Sequence, residues 1–348
     1  MIGDVHFFPG ESELALSGKA QSQLHERAAA ATRKQFGNRI FVRGVVEISN
    51  FCRENCTYCG MRRDNKLLPR FRANPELIAD LLLNHRPACV TDINIQAGED
   101  PLAVREVVLP LIRTLRRETN LGISVCLGTL TPSLYRELKE AGASIYIMKF
   151  EVGSSVRYRQ FSAPGTLDER LQHIRLLAET GWKVSSGFIA GLPGQTLTDL
   201  KLNFTVARSL PLHGCSVSPF IPGDETPLAA TSCAEPNWTL NSIAALRLMR
   251  PNWIIPAVSA LNLMEPDGYR HGLRTGANLV TMNLTPGEFR ADYVIYQRDR
   301  VIMTEERVLR ALSAEGLEPS AVGLADFYQR QSAGNSASQP GLVAANPA

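Results

Sequence analysis

The chain has no apolar run long enough to cross a membrane, and its first residues lack the apolar core of a secretion signal. No membrane association is expected, and the cytoplasm is the expected location. It also lacks a charge imbalance. Against 34 Asp and Glu stand 37 Lys and Arg, a net charge of +3 in 348 residues with no dense basic block. That does not favour nucleic acid as a partner. Cysteine is sparse and odd in number. Of the seven, Cys89, Cys126, Cys215 and Cys233 are scattered among apolar neighbours, as buried free thiols are. A reduced interior is expected rather than a disulfide framework.

The other three are not scattered. Cys52, Cys56 and Cys59 sit in the run Asn50-Phe-Cys-Arg-Glu-Asn-Cys-Thr-Tyr-Cys-Gly60. What is missing here is a fourth thiolate. Three on one short loop can hold three irons of a cubic 4Fe–4S cluster and leave the last iron an open position. An open iron binds and activates a ligand, whereas a fully ligated cluster mainly passes electrons. The alternatives are a zinc site short of one ligand, or small buried residues. The next ligands along the chain, His85 and Cys89, are too distant for a compact zinc knuckle. Tyr58 and Gly60, flanking the third cysteine, agree with the cluster reading.

With 44% hydrophobic residues the chain can bury a large core. Short apolar runs predict strands at Val42–Ile48, Thr91–Gln96, Ile123–Leu127, Ser144–Phe150, Lys183–Ile189, Gly214–Ser218, Ile254–Val258 and Asn278–Met282. Helical patterns fall between most of them, at Pro75–Asn84, Leu102–Thr119, Pro132–Ala141, Leu167–Thr180, Leu197–Leu210 and Leu240–Met249. This alternation predicts an α/β fold, a full (βα)8 TIM-type barrel over residues 39–330. A helical extension, residues 1–38, precedes it, with its helix over Glu11–Phe36. The Ser-, Asn- and Gly-rich tail, residues 331–348, is expected to be disordered. Chemistry in such barrels sits at the C-terminal strand ends. The cysteines, Gly98-Glu99-Asp100, Glu151, Gly191-Leu-Pro-Gly194 and Pro219-Phe-Ile-Pro222 all fall there.

Several of these positions have chemistry of their own. Gln96, Gly98 and Glu99 end a strand, where Gly98 permits a close backbone approach; a turn with solvated acids is the plainer reading. Glu151 can bind an ammonium, and Arg170 can fork onto a carboxylate. A surface ion pair is their plainer reading. Gly191 opens a Gly/Pro turn whose backbone N–H groups suit a nucleoside, and Thr196 or Thr198 can cap the helix that follows. The cations of Met61-Arg-Arg-Asp-Asn-Lys66 can orient a substrate anion or an electron donor. Asn283, Thr285, Arg290 and Tyr293 follow the last strand and are the candidate substrate contacts. The alternative is a helix start with Thr285 as cap and Pro286 at the first helical position.

On these motifs the chain resembles the radical S-adenosylmethionine (SAM) enzymes, in the subgroup holding biotin synthase, methylornithine synthase and the [FeFe]-hydrogenase maturases of the HydE type. HydE is the closest of these. Arg43-Gly-Val-Val-Glu-Ile-Ser-Asn50, Cys59-Gly-Met-Arg-Arg-Asp-Asn-Lys66, Gln96-Ala-Gly-Glu-Asp-Pro101, Gly191-Leu-Pro-Gly-Gln-Thr196, Thr226-Pro-Leu-Ala229 and Asn283-Leu-Thr-Pro286 carry the resemblance. It implies a 4Fe–4S cluster on Cys52, Cys56 and Cys59. It implies SAM near Gln96, Gly98, Glu99, Glu151, Arg170 and Gly191. It also implies a small-molecule substrate, a reductant such as flavodoxin or ferredoxin, and a maturation partner protein. The departures are specific. Ala97 replaces a glycine, and Val184-Ser-Ser-Gly187 stands where biotin synthase has Val-Cys-Ser-Gly. Cys126 is offset by two residues from another biotin synthase cysteine. Lys149-Phe-Glu151 replaces the Arg-His-Glu common in HydE.

Overall fold

The computed structural model describes residues 7–336. Its centre is a curled parallel sheet of β1 (Arg39–Ser49), β2 (Asp92–Ala97), β3 (Gly122–Cys126), β4 (Ile145–Ile147), β5 (Lys183–Ala190), β6 (Gly214–Pro219) and β7 (Leu279–Asn283). The hydrogen-bonded order is β6-β5-β4-β3-β2-β1-β7, and the two-residue β8 (Glu318–Pro319) pairs with the start of β1. Helices follow most strands, giving a parallel α/β architecture of the TIM type; in place of the full eight-stranded barrel expected, the described residues form a curled sheet whose ladder does not close between β6 and β7. The strands read as near-continuous buried runs because the outer face packs against helices and the inner face against the interior.

Two predicted strands are altered, each for a local reason. Ile254–Val258 forms no ladder; it makes single parallel bridges, Gly214↔Ile254 and Pro256↔Leu279. Pro256 has no N–H to give a ladder. The strand expected over Ser144–Phe150 keeps ladder pairing only at Ile145–Ile147. Just beyond that window, Glu151 turns to φ +60° and leaves the extended region.

The helices follow the expected windows closely. Thr196 caps its helix by accepting the Asp199 N–H at 3.1 Å, and Asp199 returns to the Thr196 N–H at 2.9 Å. The helical stretch after β2 carries a π-helical turn, Val104–Val108, just before Pro110. Pro110 cannot donate to the preceding turn, and the widened turn accommodates it. The N-terminal extension is two helices, Glu11–Leu14 and Gly18–Phe36, rather than one. Asn241 fastens the break between them, donating to the Leu14 and Leu16 carbonyls at 3.1 and 2.9 Å.

A last helix, Leu324–Ser336, lies across the N-terminal end of the sheet and runs into the segment expected to be disordered; residues 337–348 lie outside those described. Asp92 accepts its first N–H groups, from Leu324 at 2.8 Å and Ala325 at 3.3 Å. Among the described residues no helix is long and apolar enough to cross a membrane.

Candidate functional site

The sheet curls around a cavity of about 400 Å³, which runs from the cysteine loop to Leu324 and Tyr328 on the last helix. The cysteine loop leaves β1 at an irregularity in the β1–β2 register, where Glu47 pairs with Gln96 but Ser49 pairs with Ala97. Cys56 and Cys59 line the cavity, and Cys52 lies just outside, accepting the Glu99 N–H at 3.4 Å. Burial pushes all three thiols up, and the neighbouring sulfurs push Cys56 and Cys59 further, Cys59 to about 12. Such a cluster of buried thiols becomes thiolate only when a cationic group arrives to compensate it, so the donor set fits an iron–sulfur cluster. No three His, Cys, Asp or Glu side chains among the described residues converge on one point for a single ion. A cubane binds its sulfurs through separate irons and needs no such convergence.

Gly98 has a different use from the one expected. It packs against the cysteine loop itself: a Cβ there would stand 2.2 Å from the Phe51 carbonyl oxygen and 2.9 Å from Cys52 Cβ. The acids after it are not solvated. Glu99 accepts from the Arg170 guanidinium at 2.8 Å and from Arg53 at 3.3 Å, and Asp100 accepts from Arg72 at 2.7 Å. Arg170 also donates to Thr129 Oγ1 and the Lys149 carbonyl, at 2.6 and 2.9 Å. Arg170 therefore pairs with Glu99, not with Glu151.

Glu151 and Arg170 both line the cavity, Glu151 within electrostatic reach of Cys56 and Cys59. Gln96, Asn283 and Tyr293 line it too, and the Tyr293 hydroxyl lies in hydrogen-bonding reach of Gln96. Gly98, Glu99, Gly191, Thr285 and Arg290 do not line it. The Gly191 N–H is taken by Gln195 Oε1 at 2.6 Å, which braces the turn from within. Thr285 is no helix cap: the helix Gly287–Arg290 starts after Pro286, and Thr285 Oγ1 accepts the Glu47 N–H at 3.0 Å. Arg290 donates to the Thr285 carbonyl.

Residues given no role of their own in the sequence reading complete the wall. Arg300 forks onto Glu47 with both bonds at 2.6 Å. Arg43 donates to Thr281 Oγ1 at 3.2 Å, while its buried Nε has no partner. Lys149 donates to Ser218 Oγ at 3.2 Å. A signal for two of these was present: Arg43, Val45 and Glu47 alternate on one face of β1, so two charges occupy inward positions of an apolar strand.

Comparison with known proteins shows the family. Residues 46–203 match the family model of the radical SAM superfamily. The [FeFe] hydrogenase maturase subunit HydE of Thermotoga maritima is 33% identical over 273 residues, 78% of each chain. The 3-methylornithine synthase of Methanosarcina barkeri is 27% identical over 306 residues, 85% of each. The crystal structure of methylornithine synthase (PylB) superimposes with a TM-score of 0.81 at 26% identity, covering 91% of this chain and 94% of that one. The family uses a 4Fe–4S cluster and SAM, and the thiols, the cavity and the inward acid and base described above are present in this chain. The chain belongs to the radical SAM superfamily and is one of its enzymes.

Proposed function

We propose that Cys52, Cys56 and Cys59 hold the cluster and that SAM lies between it and Glu151. The observation that carries this reading is the placement of two of the three buried thiols and an inward carboxylate on one cavity wall. When bound, the cluster supplies the electron that cleaves SAM to methionine and a 5′-deoxyadenosyl radical. The chain's own residues bind and seal. Glu151 receives the SAM ammonium. Arg170, fixed by Glu99 and Thr129, keeps a positive edge toward the SAM carboxylate. Tyr293, Tyr296 and Arg300 line the cavity and help to exclude water from it. Gln96 and Asn283 are then substrate-facing. The bridges at Ile254 and Pro256 support a barrel closed between β6 and β7.

The substrate is a small anion. Glu47 neutralises Arg300 and Glu99 neutralises Arg170, which leaves Arg43, Lys149 and Glu151 on the wall. With Glu151 engaged by SAM, Lys149 remains for the substrate, joined by Arg43, whose charge Asp92 offsets in part. The identity to HydE supports a role in maturing the cofactor of an [FeFe] hydrogenase, with a low-potential reductant as partner. The whole-chain superposition on methylornithine synthase favours a second reading, a carbon-skeleton rearrangement of an amino acid.

The test is anaerobic. Protein reconstituted with iron and sulfide, reduced with dithionite and given SAM is expected to form 5′-deoxyadenosine, read by mass spectrometry, and its Cys56→Ala variant none. Equal product from both would refute the assignment of the cysteines.

Glu151 offers a second check. As a non-glycine residue at φ +60° it bears a left-handed penalty of roughly 1–2 kcal/mol. Glycine would relieve that, less roughly 0.5–1 kcal/mol for its greater unfolded freedom. Glu151→Gly is therefore expected to raise the unfolding midpoint slightly while abolishing SAM binding in equilibrium dialysis. A variant that keeps SAM affinity removes Glu151 from the site.

A further inference from the structure

One side chain holds the cysteine loop from behind. Arg70 donates to the carbonyl oxygens of Asn50 at 2.6 Å, Met61 at 2.9 Å, Arg62 at 2.7 Å and Asn65 at 3.1 Å. These carbonyls bracket the three cysteines on both sides. The other guanidiniums around the loop face acids: Arg53 pairs with Glu54 and Glu99, Arg62 and Arg63 with Asp64, and Arg72 with Asp100. Among the described residues Arg70 has neutral carbonyl partners and no carboxylate, so no acid there compensates its positive charge. It is half-buried and within electrostatic range of the Cys52 and Cys59 sulfurs.

We propose that Arg70 is a positioning residue that also sets the reduction potential of the cluster. The proposal rests on the reading that Cys52, Cys56 and Cys59 hold one. Reduction adds a negative charge to a group that three thiolates already make negative. A fixed cation beside them stabilises the reduced form more than the oxidised form, and the half-buried setting limits its screening. The planar fork of arginine can satisfy several carbonyls at once, which a lysine ammonium on a flexible stem does less well. The residue that shapes the loop therefore also delivers its charge.

The experiment reads potential, not turnover. Parent and Arg70→Gln, both reconstituted, are titrated under potentiometric control, and the reduced cluster is followed by electron paramagnetic resonance. At any fixed potential the ratio of oxidised to reduced cluster is expected to rise about tenfold in the variant, a fall of about 59 mV for one electron. Arg70→Lys keeps the charge but gives up carbonyl bonds, and is expected to stay close to the parent. An Arg70→Gln cluster at the parental potential overturns the proposal. Should Arg70→Gln take up no iron, Arg70→Lys decides. A parental potential there supports the charge role, and a tenfold shift overturns it. A parent that itself binds no cluster overturns the cysteine assignment instead, and iron content in that sample separates the two failures.

Discussion

Gly98→Ala is expected to lose its iron while keeping its fold. Gly98 does not sit at positive φ, so the backbone would accept alanine. Space is what forbids it. The new Cβ would lie 2.2 Å from the Phe51 carbonyl oxygen and 3.0 Å from the Phe51 carbonyl carbon, both backbone atoms that cannot rotate away. The cysteine loop must therefore shift by about an ångström, which breaks the Glu99 N–H bond to Cys52 Sγ. Overpacking of this kind costs about 1–3 kcal/mol. That is small against global stability but large for a loop that, on the function proposed above, presents three sulfurs to one cluster. Iron per chain after reconstitution should collapse, with far-ultraviolet circular dichroism unchanged. Full iron content and parental deoxyadenosine production in Gly98→Ala would show that the loop has slack that its contacts do not suggest.

Arg300→Met is expected to destabilise the protein by about 3–5 kcal/mol, the usual consequence of stranding one member of a buried ion pair. The side chains of Glu47 and Arg300 are only 3% and 9% exposed. Glu47 stands on β1, and removal of its partner leaves a buried carboxylate without its cation. The effect should appear as a lower urea midpoint and as faster amide exchange over residues 284–303, the segment that Arg300 anchors. A double variant, Glu47→Leu with Arg300→Met, removes the stranded charge and should recover most of the loss. If the single variant costs under about 1 kcal/mol, the pair is wetter than its burial implies.

The sequence made the framework legible because short, apolar-rich buried strands alternate with longer helical patterns, even where β1 and β2 carry polar inward residues. Ladder strands form in seven of the eight predicted windows, and the eighth makes bridges at Ile254 and Pro256. The cysteine motif was legible because three thiols spaced on one loop are a local fact of the sequence. What stayed hidden was pairing at long range. Glu47 and Arg300 are 253 residues apart, and no spacing rule links them. Arg170 illustrates the same limit. Its nearest acidic strand end in sequence is Glu151, yet helix packing carries its guanidinium to Glu99, 71 residues away. Gly98 was read as making room for a ligand, because a lone sequence cannot say which backbone comes close. Arg70 carried no signal at all, since its partners are carbonyls, which every residue has.

The helix Leu324–Ser336 has a consequence for synthesis. Leu324 and Tyr328 form part of the cavity wall, Asp92 holds the helix start, and the Tyr328 hydroxyl donates to the His213 carbonyl at 3.3 Å. All of these contacts join this helix to parts of the chain made long before it. A nascent chain therefore displays its cysteine loop on the ribosome while the far end of its chamber is still a hole. An interior walled at this end by Leu324 and Tyr328 exists only once this helix has been made, so iron delivered earlier would enter a vessel without a floor.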